Sequence, residues 1–208
     1  MEIKKHWDSI YSTKESTQVS WYQEHPVLSL HLIEHTGVDK EHQIIDVGGG
    51  TSTLVDDLLA SGFNHITVLD ISATALAMAR QRLGIQADKV SWIEADITKA
   101  SLPHQFFDLW HDRAVFHFLR EPEERHRYIQ AVQHSVKTGG HVIVATFATD
   151  GPARCSGLDI VRYSPESLHS EFGDDFRLVE STRETHTTPF GVEQKFIYCY
   201  CRKCSSVV

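Results

Sequence analysis

The sequence lacks long apolar runs, and its basic residues are outnumbered by acidic ones. None of its apolar stretches approaches the roughly 18 residues of a membrane-spanning helix. A secretory signal would have an apolar stretch after its basic residues, and none follows the two lysines near the N-terminus here. Twenty Lys and Arg against 28 Asp and Glu give a net charge of −8 over 208 residues. We therefore expect a cytoplasmic protein that binds neither membrane nor nucleic acid, since nucleic-acid binders usually present a basic face. The composition leaves the oligomeric state open.

Cysteine is scarce and unevenly placed. Three of the four cysteines, in the order Cys155, Cys199, Cys201 and Cys204, fall in the last ten residues, so an evenly spread disulfide framework is excluded and reduced thiols are expected. The segment "CYCRKC" lacks paired C-x2-C spacing and an evident fourth ligand. The segment "HLIEH" at 31–35 matches the H-x-x-E-H zinc peptidase pattern, but an exposed polar helix is the simpler interpretation. The sequence predicts no metal site.

Short apolar runs alternate with helical patterns, which is typical of α/β proteins with a mainly parallel sheet. The predicted strands are 43–47, 65–69, 89–93, 107–110 and 141–146, and the predicted helices are 51–61, 73–83 and 122–136. A short helix follows Ser164, and the runs 176–185 and 192–201 form a β-hairpin. Residues 1–40 should form a helical cap. We expect one domain over 1–208, with the cap, a core at 41–147 and a segment at 148–204 that carries a loop, a helix and the hairpin.

The stretch "IIDVGGGTSTLVDDLL" at 44–59 combines a strand, glycines and a helix start. Glycines let backbone approach a ligand closely, and the start of a helix offers free N–H groups. Gly48 and Gly50 fit a dinucleotide loop, but Thr53 stands where the third glycine belongs. Asp46 would face a pyrophosphate badly and suits the ammonium group of S-adenosylmethionine (SAM).

Two further acids follow predicted strands. Asp70 ends "ITVLD", where a carboxylate accepts hydrogen bonds from both ribose hydroxyls. Asp96 ends "SWIEAD", just past the third predicted strand, where it can accept a hydrogen bond from an adenine amino group. Acids at three strand ends, in register with the glycines, favour an adenosine-containing cofactor.

Over residues 40–147 the sequence resembles the class I SAM-dependent methyltransferases. The resemblance implies a Rossmann-like sheet of order 3-2-1-4-5-7-6 with strand 7 antiparallel and helices on both faces. It also implies that Asp46, Gly48 and Gly50 line the methionine moiety. Ribose and adenine would then be held by Asp70 with Ile71 and by Asp96 with Ile97.

The stretch "WHDRAVFHFL" follows the fourth strand and resembles a motif of thiol and thiopurine methyltransferases and of some protein-lysine methyltransferases. Ligands bind beyond the carboxyl ends of strands in such sheets. We therefore predict Asp112 and His117 as catalytic residues and Arg113 as a substrate residue. Alternatively, Asp112 and Arg113 pair to fix the loop, and His117 caps or packs.

Two other segments are candidates for the walls of the site. Trp21 and Tyr22 in "SWYQEHP" could contact cofactor and acceptor, or only pack. The loop at 147–164 is long enough to suggest a function. We predict that it forms a wall or lid of the acceptor site, with Cys155 and Arg162 nearest the substrate, unless it is a plain surface connection.

The predicted activity is transfer of the SAM methyl group by in-line displacement, which leaves S-adenosylhomocysteine. A small-molecule nucleophile such as a thiol is the first candidate acceptor, because a thiol of pKa near 8.5 needs little help from a base. A protein lysine is the alternative. A third possibility is a SAM-binding protein without transfer activity.

Overall fold

The computed structural model describes residues 3–205, in which a seven-stranded sheet carries helices on both faces. The strands are β1 (Ile44–Val47), β2 (Ile66–Asp70), β3 (Val90–Glu94), β4 (Phe107–Arg113), β5 (Val136–Phe147), β6 (Arg154–Cys155), β7 (Leu158–Asp159), β8 (Phe176–Thr187) and β9 (Glu193–Lys203). The helices are α1 (Ile3–Thr13), α2 (Val27–Thr36), α3 (Leu54–Ala60), α4 (Ala73–Leu83), α5 (Pro122–Ser135) and α6 (Pro165–Phe172). No helix within this range is long and apolar enough to cross a membrane.

The strand order confirms the predicted topology. The main sheet runs β3-β2-β1-β4-β5-β9-β8, while β6 and β7 form a separate short hairpin. When that short hairpin is set aside, the order is the expected 3-2-1-4-5-7-6. Strand β9 pairs with β5 in the antiparallel direction, and β8 with β9 forms the predicted terminal hairpin.

The central strands are buried on both faces, as in most parallel sheets. Side chains alternate along β1, so Ile45 packs in a cluster with Tyr128 of α5, whereas Ile44 packs in a second cluster with Leu32 of α2. Helices α5 and α6 therefore cover one face, and α2, α3 and α4 cover the other. The carboxyl ends of β1, β2 and β4 stay open between these two layers.

The local sequence explains where the helices begin. Ser72 caps α4 by accepting a hydrogen bond from the Ala75 backbone N–H, and Ser164 caps α6, whose first residue is Pro165. Helix α3 begins later than predicted because residues 51–53 still belong to the turn after the glycines. Strand β5 begins earlier than predicted, because α5 passes into it without a loop.

Candidate functional site

A cavity of about 400 Å³ lies at the carboxyl ends of β1, β2 and β4. This is within the usual size range of small-molecule sites, which is about 300–1,000 Å³. One end is lined by the glycine loop and by the residues that follow β2 and β3. The other end is lined by Arg113 at the end of β4 and by Cys155, Leu158 and Asp159 of the β6–β7 hairpin. The cavity thus joins the predicted cofactor side to the predicted acceptor side.

The glycine loop folds tightly over β2. Gly48 and Gly50 have φ of 69° and 43°, which favours glycine at both positions. The Gly48 backbone N–H donates to the Leu69 carbonyl, and an added Cβ at Gly48 would lie 1.9 Å from a Val115 methyl carbon. Gly48 lines the cavity, whereas Gly50 lies behind it between Asp70 and Tyr11.

Asp46 lies beneath this loop rather than in the cavity. Its Oδ1 is 2.7 Å from Nδ1 of His111, whose Nε2 is 2.9 Å from the Ser29 hydroxyl oxygen. All three residues are buried, and Asp46 does not line the cavity. The register in which β1 pairs with β4 sets Asp46 beside His111, and the predicted contact of Asp46 with the methionine moiety stays a prediction.

Asp70 ends β2 and lines the cavity. One oxygen, Oδ1, accepts a hydrogen bond of 2.8 Å from the Ser72 backbone N–H. The other oxygen, Oδ2, faces Gly50, where an added Cβ would lie only 2.8 Å from it. Burial above all, with smaller effects from the Asp46 and Asp8 charges, raises the pKa of Asp70 to about 7. A side chain at position 50 would therefore crowd this oxygen.

Asp96, Ile71 and Ile97 line the same end of the cavity. Asp96 Oδ1 accepts hydrogen bonds from the backbone N–H and hydroxyl of Thr98, and Oδ2 lies 2.9 Å from the Lys99 ammonium. Partial burial opposes ionisation of Asp96, but the Thr98 and Lys99 hydrogen bonds outweigh it and lower the pKa. The two isoleucines offer apolar surface on either side of this carboxylate.

Asp112 lies inside the protein, away from the cavity. It is fully buried and accepts hydrogen bonds from the backbone N–H groups of Val115 and Phe116 and from the Tyr128 hydroxyl. Burial raises the pKa of Asp112 to about 6 despite these donors. The structure therefore corrects the prediction that Asp112 meets the acceptor. This carboxylate fixes the segment that leaves β4 through the backbone N–H groups of Val115 and Phe116 rather than by pairing with Arg113.

His117 is also fully buried and does not line the cavity. Its Nδ1 accepts a hydrogen bond from the Phe147 backbone N–H, and its carbonyl accepts one from Val161. Burial, with a smaller effect of the Arg113 charge, lowers the pKa of His117 to about 3. A histidine held neutral in this way packs and orders the loop, which corrects the catalytic prediction.

Arg113 does reach the cavity. Its guanidinium donates to the Tyr198 hydroxyl, the Trp21 carbonyl and the Glu184 carboxylate at 2.9, 3.1 and 3.3 Å, and it lies over the Phe196 ring. Three of its five N–H groups are occupied by these bonds. Arg113 is thus held by an ion pair with Glu184, and two of its N–H groups lie outside these three bonds.

The other predicted site residues also fall into two groups, those that line the cavity and those that do not. Cys155 and Trp21 line the cavity, and burial raises the pKa of the Cys155 thiol to about 11. Tyr22 lines a neighbouring smaller cavity instead. Arg162 lies outside the cavity lining and donates to the Gly151 carbonyl. Across residues 3–205, no group of three or more His, Cys, Asp and Glu side chains is arranged to hold a metal ion.

Known proteins share both the sequence pattern and the fold. Residues 44–140 match the family model of a methyltransferase domain. The chain is 22% identical to mouse eEF1A lysine and N-terminal methyltransferase over 149 residues. This match covers 69% of this chain and 21% of that protein. It is 29% identical to Coxiella burnetii ubiquinone/menaquinone biosynthesis C-methyltransferase UbiE over 133 residues. This second match covers 62% of this chain and 49% of that protein. The chain thus spans about a fifth and about half of these two relatives.

A solved structure of Burkholderia thailandensis 1,6-didemethyltoxoflavin-N1-methyltransferase, with 1,6-didemethyltoxoflavin and S-adenosylhomocysteine bound, superimposes with a TM-score of 0.67. The two chains are 17% identical, and the match covers 97% of this chain and 84% of that one. Residues 44–140 match a methyltransferase domain, and the described residues have the class I methyltransferase fold. The cofactor of such a domain is SAM.

The cavity has a wall of aromatic side chains, of which only Trp21 was predicted from the sequence. Trp7, Tyr11, Trp21 and Phe118 all line the cavity. The Trp7 ring centroid lies 5.0 Å from Phe118 and 5.9 Å from Trp21, both edge to face. Ile3, Trp7 and Tyr11 are four residues apart, so they share one face of α1. This spacing was visible in the sequence, although the segment was assigned only as a cap.

The residues that line the methyltransferase cavity fit SAM. The open oxygen of Asp70 suits the ribose hydroxyls, and Asp96 with the two isoleucines suits the adenine. Aromatic rings suit a sulfonium cation, because the faces of such rings attract positive charge. Gly48 leaves the loop bare where the amino-acid end would lie.

Proposed function

We propose that this protein transfers the methyl group of SAM to a nucleophile bound beside Arg113 and Cys155. The observation that carries the proposal is the continuity of the cavity. The same space runs from Asp70 and Asp96 on the cofactor side to Cys155 and Leu158 on the other side. A protein that only bound SAM would not need the second half of this space.

The bound cofactor supplies an activated methyl group on a positively charged sulfur. The protein's own task is to orient and to exclude water, and a well-oriented reaction can gain about 7–11 kcal/mol from geometry alone. In this proposal Asp70 holds the ribose and Asp96 holds the adenine. Trp7 and Phe118 surround the sulfonium and close the cavity to solvent. We also propose that residues 1–208 act as one domain, since the cap, the core and the β6–β7 hairpin all line this cavity.

A small-molecule thiol or similar nucleophile is the acceptor that we propose first. The two residues predicted to be catalytic, Asp112 and His117, are buried and do not line the cavity. An acceptor that ionises easily needs no such base, and a nearby guanidinium stabilises a thiolate. Arg113 is placed to do this, because its side chain lines the acceptor end of the cavity with donors to spare.

A lysine acceptor is the second candidate, and one feature of the cavity favours it. Three carboxylates also line the cavity, those of Glu121, Glu124 and Asp159. Asp159 is paired with Arg120 and Arg154, so the negative charge that would attract a lysine ammonium comes mainly from Glu121 and Glu124. The mouse relative is named for lysine and N-terminal methylation, so a protein acceptor is tested beside the small-molecule one.

Two measurements test the proposal. Isothermal titration should detect binding of SAM and S-adenosylhomocysteine and no binding of NAD, since Thr53 replaces the third glycine of a dinucleotide loop. Methyl-labelled SAM is then supplied with the protein and a cell lysate, and the label is counted in the small-molecule and protein fractions. Label in small molecules supports the thiol-type acceptor, and label in protein supports lysine. Tight binding without transfer to either fraction would leave a SAM-binding protein and contradict the proposal.

A further inference from the structure

The glycine loop is held from outside the cavity by one arginine. Arg82 stands in the last turn of α4 and donates to the carbonyl oxygens of Thr51 and Ser52 at 2.8 and 2.7 Å. The same guanidinium forms two hydrogen bonds of 3.0 and 2.7 Å with the Asp56 carboxylate in the first turn of α3. One side chain thus binds both the end of the loop and the helix that follows it.

These contacts fix the orientation of two peptide planes. A trans peptide points its N–H opposite to its carbonyl. When Arg82 holds the carbonyls of Thr51 and Ser52, the N–H groups of Ser52 and Thr53 must face the other way. The Ser52 N–H closes a turn by donating to the Gly49 carbonyl at 2.6 Å. The Thr53 hydroxyl donates to the Gln23 carbonyl at 2.9 Å, which fastens the loop to the N-terminal cap.

This arrangement compensates for the missing third glycine. In dinucleotide loops that glycine packs the helix closely against the strand. Here Thr53 occupies the position, and the loop is held instead from α4 and from the cap. We propose that Arg82 is a positioning residue for the cofactor, acting through the backbone of residues 48–53 without touching the ligand. The inference rests on the proposed SAM-binding function of the same cavity.

The geometry requires a guanidinium rather than any positive charge. A planar fork donates in several fixed directions at once, whereas an ammonium is a single point charge. The Arg82 and Asp56 side chains are 27% and 31% exposed, so their ion pair alone is partly screened by solvent. We therefore expect the two carbonyl contacts, rather than the charge pair, to determine how the loop is held.

The test measures S-adenosylhomocysteine binding by isothermal titration for R82A, R82K and a control. R80A is the matched control, since it removes an exposed arginine from the same helix. We expect R82A to weaken binding about tenfold or more, R82K to weaken it nearly as much, and R80A to match the wild type. In turnover assays R82A should raise the KM for SAM and leave kcat nearly unchanged.

The outcomes separate this inference from the proposed function. If the wild type does not bind S-adenosylhomocysteine, the proposed function fails. If the wild type binds and R82A binds equally well while losing only thermal stability, Arg82 is structural and the positioning role is wrong. Wild-type binding by R82K would likewise overturn the requirement for a fork. Circular dichroism of each variant identifies any that does not fold.

Discussion

The segment that leaves β4 and the helix α1 border the same cavity in opposite ways. The β4 segment carries the acid and the histidine that resemble a catalytic motif, yet Asp112 and His117 are both fully buried and bind their own loop. Helix α1 carries no such motif, yet Ile3, Trp7 and Tyr11 all line the cavity. Resemblance to a motif therefore identified the segment near the cavity but did not distinguish Arg113, which lines the cavity, from Asp112 and His117, which do not.

The reason lies in how strands and helices direct side chains. Successive residues of a strand point to opposite faces. His111 and Asp112 accordingly point to the two sides of the sheet, one toward Ser29 of α2 and the other toward Tyr128 of α5. Only Arg113, at the strand end, is left to reach the cavity. On α1 the spacing of four places an entire apolar row on one side. The following experiments test this contrast between the two regions.

The largest effect should come from removing the buried carboxylate of the β4 segment. Asp112→Ala leaves two backbone N–H groups and one hydroxyl without their acceptor, and we expect a loss of about 3 kcal/mol or more in the free energy of unfolding. Chemical denaturation measures it, with the exposed Asp88→Ala as control. If Asp112→Ala keeps near-normal stability but loses turnover, Asp112 acts at the acceptor site, and the contrast between the β4 segment and α1 is wrong.

The second largest effect concerns the pH dependence of cofactor binding. Burial raises the pKa of Asp70 to about 7, so below pH 7 the free protein holds this group protonated. Hydroxyl groups of the ribose donate to the carboxylate form, so affinity should be full above pH 7 and fall as the pH decreases. Between pH 7.5 and 5.5 the Kd of S-adenosylhomocysteine should rise about twentyfold. Isothermal titration across this range measures the slope, and Asp70→Asn should bind weakly and flatten it. An unchanged slope in the variant would remove Asp70 from the ribose site.

The third effect should come from the aromatic wall on α1. Trp7→Ala removes a ring that packs against Trp21 and Phe118 and lines the cavity. We expect S-adenosylhomocysteine binding to weaken about tenfold, because buried aromatic contacts are worth roughly 1 kcal/mol beyond their area. Ser9→Ala, on an exposed position of the same helix, is the control. If both variants bind equally well, Trp7 does not contribute to cofactor binding and α1 only covers the cavity.

Most of the fold could be predicted from the sequence, and part of the site could not. Helix α4 matched its predicted bounds because a serine cap and a terminal glycine mark its ends, and the hairpin of β8 and β9 followed from two β-rich runs. Asp70 and Asp96 could be predicted to lie at the cavity because each stands at or just past the carboxyl end of a strand. The place of Asp46 beside His111 could not be predicted, because it depends on the pairing of β1 with β4, which the sequence alone does not specify. The contacts of Arg82 with the glycine loop could not be predicted from the sequence, because 30 residues separate Arg82 from Ser52 along the chain.

The smallest effect should distinguish the two residues predicted to approach the acceptor from the loop at 147–164. Cys155 lines the cavity and Arg162 does not. Burial raises the thiol pKa to about 11, so Cys155 is neutral at physiological pH and contributes soft apolar surface. Cys155→Ser keeps the shape and changes the polarity, so the KM for the acceptor found by the labelling experiment should rise about two- to fivefold, roughly 0.4–1 kcal/mol. Arg162→Ala serves as the control from the same loop and should behave as the wild type. Both variants should bind S-adenosylhomocysteine normally. Weaker cofactor binding by Cys155→Ser would place the thiol against SAM rather than the acceptor, and unchanged kinetics in both would make the loop a plain surface connection.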